Sequence, residues 1–232
     1  MPRSLGFLLL CFAAAWASAQ ESPSASGAVQ GPLTGSSSAP PAAAAVDPRI
    51  PSLSEKELAT LKKGQVVVRG EMYTTDDGKR AGKGVAFVVI DKPPEAAFAV
   101  LQDYGKIAEY MPRVTKVTIP EKSPTRMKVV QELKVLFKTV VYTLILDFNA
   151  QKKRMDWKLD KTAENDIKDT WGFWEFIPYD NGKTLVVYNI AANTGVSIPQ
   201  FLEDYLTKKD LPEVLMAMKR RTESGGTWKK SE

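Results

Sequence analysis

The sequence contains no histidine, and its one cysteine, Cys11, sits in a short apolar run near the start. These absences exclude Ser-His-Asp and Cys-His nucleophilic machinery, most zinc sites and haem attachment through Cys-His motifs. No Walker-type loop occurs, and no Gly-x-Gly-x-x-Gly follows a strand pattern, so nucleotide cofactors are not expected. No cofactor, no metal and no catalytic residue is assigned from the sequence. Beyond the first residues, no apolar run approaches the length needed to span a bilayer as a helix.

The first nineteen residues read as a leader. Arg3 supplies a cationic start, Leu5 to Trp16 an apolar run, and Ala17-Ser18-Ala19 a small-residue cleavage site, which predicts a signal peptide over 1–19 cut after Ala19. A lipoprotein role for Cys11 needs a small residue before the thiol, and Leu10 stands there. Cleavage removes Cys11, so the mature chain has neither thiol nor disulfide, which is compatible with a periplasmic or secreted location. The formal charge of +5 loses only Arg3 and stays mildly basic. Basic clusters at Lys152-Lys153-Arg154, Lys219-Arg220-Arg221 and Lys229-Lys230 form a solvated surface or a peripheral contact with an anionic membrane, at roughly 1 kcal/mol per well-placed cation. No aromatic-basic nucleic-acid motif appears.

Residues 20–53 are rich in Ser, Ala, Gly and Pro and too poor in large apolar side chains to fold, so they form a flexible linker. Ser54 with Glu57 three residues on predicts a capping box for a short helix to Lys63. Gln65 to Tyr73 and Gly84 to Ile90 then form a hairpin with a charged turn. Asp91 with Pro93 and Pro94 starts a helix, because proline fits a first turn whose amides have no partner. Ala97, Val100, Leu101 and Tyr104 follow at helical spacing, and Ile107 with Met111 continues a second helix to Pro112.

After Pro112 the period becomes two. Met127, Val129, Gln131, Leu133, Val135 and Phe137 share one face of a strand; Val140, Tyr142, Leu144, Leu146 and Phe148 repeat it; Met155, Trp157 and Leu159 alternate with charged residues. This is the pattern of an antiparallel sheet wet on one side. Strands at Lys168–Ile177 and Thr184–Ala192 complete the series, joined through an Asn181-Gly182 turn. In the last strand, Val186, Tyr188 and Ile190 compete with Leu185, Val187 and Asn189 for the inner face. A terminal helix carries Phe201, Leu202, Tyr205 and Leu206, then Leu211, Val214, Leu215 and Met218, with Asp210 as a new cap before Pro212. A curved sheet with an exposed oily face and one amphipathic helix fit together with the helix across the sheet.

The Asp91–Pro112 segment, the Gly172-Phe-Trp174-Glu-Phe176-Ile-Pro178 strand, the Asn181-Gly182-Lys-Thr184 turn and the two-part terminal helix resemble the START-like superfamily, in particular its polyketide cyclase/dehydrase and coenzyme-Q-binding branch. The resemblance covers roughly residues 64–223 and lies in the order of the segments. It implies an α+β helix-grip fold, with a curved antiparallel sheet wrapped around a long C-terminal helix and a hydrophobic cavity inside. The domain is expected over 54–225, followed by a basic tail at 226–232. The extra hairpin before Asp91 and the leader depart from most members and argue against an intracellular biosynthetic role.

The expected function is that of an exported protein binding a hydrophobic small molecule, a lipid, sterol or quinone, for transport or presentation. The expected lining is Met127, Val129, Gln131, Leu133, Tyr142, Leu144, Leu146, Met155, Trp157, Trp174, Phe176, Tyr188, Phe201 and Tyr205. Two alternatives remain open. An aromatase/cyclase-type enzyme acting on a polyketide-like substrate requires an inward Asp, Glu or Arg beside the cavity; a module for interaction alone requires a filled core.

Overall fold

The computed structural model describes Arg49 and residues 51–74, 80–135, 137–195 and 209–231. The leader, most of the linker, and Phe201, Leu202, Tyr205 and Leu206 lie outside the described residues. The described chain runs α1 (Glu55–Lys62), β1 (Val67–Thr74), β2 (Arg80–Ile90), α2 (Pro94–Gln102), a 3-10 turn (Tyr104–Lys106), α3 (Ile107–Tyr110), β3 (Val114–Lys122), β4 (Arg126–Val135), β5 (Lys138–Asn149), β6 (Arg154–Leu159), β7 (Asp169–Tyr179), β8 (Lys183–Asn193) and α4 (Leu211–Glu223).

The strands form one curved sheet in the order β1-β2-β8-β7-β6-β5-β4-β3, and every neighbouring pair is antiparallel. Only β2 pairing with β8 joins strands distant in the chain; the other ladders link consecutive strands. With α4 laid across one face of this sheet, the fold is the α+β helix grip. β1 is the added edge strand of the early hairpin.

Local chemistry explains the boundaries. Ser54 and Glu57 complete the capping box of α1, each side chain bonding the other's backbone amide. Pro94 occupies the first turn of α2. Asn181 and Gly182 both have positive φ, at 50° and 78°, the conformation of the two-residue turn that matches hairpin twist. Phe137 departs from expectation: β4 ends at Val135, and Phe137 sits in the following turn, 98% exposed.

The inner core joins alternating residues of β2 and β4 to β8 to α2, α3 and α4, including Phe98, Leu101, Tyr110, Leu146, Met155, Phe176 and Met218. A second cluster lies on the opposite face, where α1 covers β1, β2, β7 and β8 with Leu61, Val67, Phe87, Val89, Ile177, Leu185 and Val187. This settles the register of β8. Val186, Tyr188 and Ile190 face the inner core, while Leu185 and Val187 lie under α1. The sheet is therefore wet on one side only where α1 does not reach.

On the outer surface Arg154 lies over the Phe173 ring at 3.6 Å and bonds both Asp156 and Glu175. Inside, Trp157 stands directly across from Gly172 on the neighbouring strand. A Cβ on Gly172 would meet the Asn189 carbonyl oxygen at 2.1 Å and the Trp157 ring at 2.4 Å, so any side chain there forces indole or backbone to move.

Two outcomes follow from these contacts. Gly172→Ala should lower stability by about 1–3 kcal/mol, the range for overpacking, in urea denaturation followed by near-ultraviolet circular dichroism; an unchanged midpoint would refute the packing account. Glu57 is held down to about 2 from an ordinary 4.5, chiefly by its hydrogen bond from Arg69 and further by Ser54. A depressed carboxyl contributes stability that is full above pH 4.5 and is lost as pH falls toward 2. Protection of the Leu58 and Leu61 amides, measured relative to their unstructured exchange rates at each pH, should therefore fall across that interval, and Glu57→Gln should flatten the dependence.

Candidate functional site

One end of the concave sheet is solid and the other is hollow. Phe98 of α2 packs edge-on against Phe148 at 6.3 Å and Phe176 at 6.4 Å, filling the space over the Met127, Leu146 and Met155 end. Toward α3 and the start of α4 a cavity of about 150 Å³ remains. Its wall is mostly apolar, with Ile107, Met111, Leu133, Trp174, Ile190 and Val214 contributing.

The aromatic side of the wall is a stack. Tyr188 meets Trp174 at 4.1 Å between ring centroids, tilted by 39°, and stacks on Trp157 behind the wall at 5.5 Å. The polar side is built around Tyr104, whose hydroxyl donates to Gln131 Oε1 at 3.0 Å. Burial pushes the Tyr104 phenol well above its ordinary value, with the neighbouring Tyr142, Tyr110 and Tyr188 adding to it, so the hydroxyl remains a donor.

At the helix end of the cavity Arg113 donates to Asp210 Oδ1. Arg113 has φ of 62°, a left-handed conformation for a non-glycine residue, which places it in the turn between α3 and β3. Asp210 precedes α4 with helical backbone angles and caps nothing with its side chain. The expected N-cap role is thus corrected: the carboxylate is drawn away to the Arg113 guanidinium. Burial raises the Asp210 carboxyl, and Arg113 opposes that rise without cancelling it.

The rim is closed by the loop after β6. Asp166 and Asn165 side chains accept the Val141 and Thr143 amides of β5, so residues 160–166 continue the sheet edge and deliver Ile167 to the cavity. Across the rim, the chain after α4 folds back. Lys230 donates its ammonium to the carbonyls of Met111 and Val114, and its amide to that of Glu109, while Arg221 bonds the Trp228 carbonyl and Glu109. The basic tail thereby straps the α3 wall against α4. Lys153, Arg154, Lys219, Arg221, Lys229 and Lys230 all hold intramolecular partners, which removes most of the basic clusters from the pool of free surface charge.

Of the residues named from sequence, Gln131, Leu133, Tyr142, Trp174 and Tyr188 line this cavity. Met127, Val129, Leu144, Leu146, Met155, Trp157 and Phe176 are buried in the adjoining core. Phe201 and Tyr205 lie outside the described residues. Sequence reasoning did not assign Arg113, Asp169, Thr170, Asn193 and Asp210 to the lining. The available signal was weak: Arg113 follows an apolar helix, and Asp210 has the form of a cap. Among the described residues no three His, Cys, Asp or Glu side chains gather to hold a metal, and no helix is long and apolar enough to cross a membrane.

The sequence model of the family described as polyketide cyclase / dehydrase and lipid transport matches residues 82–223, more than half of the chain. The chain belongs to this family. The match begins inside β2, which leaves α1 and β1 as additions before it. Solved structures agree on the fold. A STAR-related lipid transfer protein of Xanthomonas axonopodis is similar with 16% identity and a TM-score of 0.52, covering 67% of this chain and 93% of that one. The Zhui aromatase/cyclase of a Streptomyces species has 16% identity and a TM-score of 0.52, covering 68% and 94%. A START superfamily protein of Mycobacterium smegmatis has 13% identity and a TM-score of 0.51, covering 69% and 99%. No curated protein matches in sequence.

The tail contacts generate a direct outcome. Lys230→Met removes two charge-assisted hydrogen bonds from the α3 wall and should cost about 1–3 kcal/mol, read from the urea midpoint, with the Met111 amide exchanging faster than in the parent chain.

Proposed function

We propose that this family member is an exported binding protein that takes a hydrophobic small molecule, a lipid, sterol or quinone, into the cavity between the sheet and α4 for transport or presentation. The observation that carries the reading is the hollow itself: a mostly apolar space of about 150 Å³ left unfilled beside a core that is otherwise closely packed. Space of this size in an apolar core, about 150 Å³, takes up a benzene-sized guest. It is smaller than the roughly 300–1,000 Å³ typical of drug-sized pockets. The ring or head of a larger ligand fits the cavity, and the rest lies beyond it.

Burying one aromatic ring, about 150–250 Å², yields roughly 4–6 kcal/mol at 25 cal/mol/Å² before the losses of association. Longer ligands gain more by opening the α3 wall. Export rests on the leader at residues 1–19, and the periplasmic or secreted location with it.

A second reading, an aromatase/cyclase-type enzyme, is favoured by one observation. Asp210 and Arg113 meet the requirement for inward acidic and basic groups at the cavity, and a raised carboxyl there suits a proton shuttle. An assay for ring closure of a polyketone separates it from a carrier.

Mass spectrometry of an organic extract from the purified chain should recover a lipid, sterol or quinone. Titration with quinone or lipid probes should change tryptophan fluorescence, and Trp174→Phe should remove much of that change, because Trp174 lines the cavity. The absence of both a co-purifying molecule and a fluorescence response would sink the binding function.

A further inference from the structure

The two edges of the open sheet are built differently. At one end, the ladder of β3 with β4 shifts register between Val114 and Lys116 and again between Thr118 and Glu121. Pro120 lies within β3, and Lys116 and Lys122 stand along it. Bulges, proline and lysine are devices by which an edge strand avoids pairing with another chain. β1, at the other end, has none of them. It pairs with β2 without a shift from Val67↔Phe87 to Thr74↔Arg80, and its sequence, Val-Val-Arg-Gly-Glu-Met-Tyr-Thr, contains neither proline nor lysine.

An antiparallel edge strand directs the N–H and C=O groups of every second residue away from its neighbour. Among the described residues, no backbone hydrogen bond outside the ladders involves β1. Val68 packs on the inner core and Val67 in the cluster under α1, so both faces of the strand are covered and its edge is what remains to pair. β1 also precedes the stretch that matches the family, so this edge is an addition of this chain.

We propose that two copies of this chain associate through β1, pairing antiparallel about a two-fold axis at Gly70 so that the two sheets continue into one. The strand is complementary to itself in this register. Arg69 of each copy stands opposite Glu71 of the other, and Val68 opposite Met72, while Gly70 meets Gly70 at the axis with no side chains to crowd. Moving the axis by one residue sets Arg69 against Arg69 or Glu71 against Glu71, and like charges directly opposite are destabilising. Arg69 donates to both carboxylate oxygens of Glu57 and still keeps 42% of its side chain exposed, so a second carboxylate can reach it.

Main-chain hydrogen bonds supply the affinity of such an added strand, and the charge pairs fix its register. One strand pair is small beside the roughly 1,200–2,000 Å² buried in stable interfaces, so the dimer is weak and depends on concentration.

Sedimentation of the full chain from about 5 to 500 μM, a range suited to a weak interface, should show monomer giving way to dimer. Hydrogen exchange at the two ends of that range should show alternate amides within 67–74 gaining protection while those of β3 do not change. Glu71→Arg sets cations opposite Arg69 and should weaken association at least about tenfold, equivalent to 1.4 kcal/mol; Lys116→Glu on the β3 edge should leave it unchanged. Arg69→Glu should also stay monomeric, yet mixing it with Glu71→Arg should restore a dimer, because each charge then faces its opposite. A parent chain that is monomeric throughout overturns the proposal. A dimer that tolerates Glu71→Arg, or that forms without protecting β1 amides, has its contact elsewhere and overturns it equally. Should Arg69→Glu not fold, Glu71→Arg and the exchange pattern of the parent chain decide the matter.

Discussion

The stack of Trp157, Tyr188 and Trp174 is the contact on which the interior depends. Trp157 can lie flat against its neighbour strand only because Gly172 opposite has no side chain. Tyr188 then stacks on Trp157 and packs at a tilt against Trp174, so rings from three strands form one aromatic cluster. Rings of this kind bury large areas at fixed geometry and do not readily collapse into adjacent space. A hollow beside such a surface survives where a wall of small aliphatic side chains would close over it. Phe98 fills the other half of the concave face by edge contacts with Phe148 and Phe176. The division between core and cavity thus comes from two sets of aromatic contacts on one continuous sheet.

The additions before the family domain act on the opposite face. α1 covers β1, β2, β7 and β8 with Leu61 at the centre, which is why these strands carry large apolar residues on both sides. Glu57 serves two purposes there, closing the capping box and binding Arg69 of β1 through both carboxylate oxygens. The helix and the edge strand are joined electrostatically as well as by packing.

Charge inside the domain is handled by pairing near the cavity and by strapping around it. The tail after α4 returns to α3 through Lys230, Arg221 and Trp228, so the wall formed by Ile107 and Met111 is held from outside. Burial depresses the Lys230 ammonium, consistent with a cation committed to carbonyls rather than to solvent. The Arg113 and Asp210 pair joins the same wall to the start of α4, linking the turn after α3 to the helix that grips the sheet.

Much of this architecture was legible in the chain. Alternation over residues 126–148 and 154–159 located β4, β5 and β6, Ser54 with Glu57 located α1, and Asn181-Gly182 located the last hairpin, because each depends on local periodicity or local backbone chemistry. The inner face was therefore readable, including Gln131, Leu133, Tyr142, Trp174 and Tyr188. Facing inward and lining a hollow are distinct properties. Which half of that face is filled depends on where Phe98 of α2 lands, and local pattern carries no information about it. The register of β8 was undecidable for the same reason, since α1 buries its outer side from more than a hundred residues away in sequence. Asp210 and Arg113 were likewise out of reach, separated by 97 positions. Sequence alone determined the elements and their oily sides; only tertiary structure decided where those sides meet, because packing depends on contacts between segments that no local repeat connects.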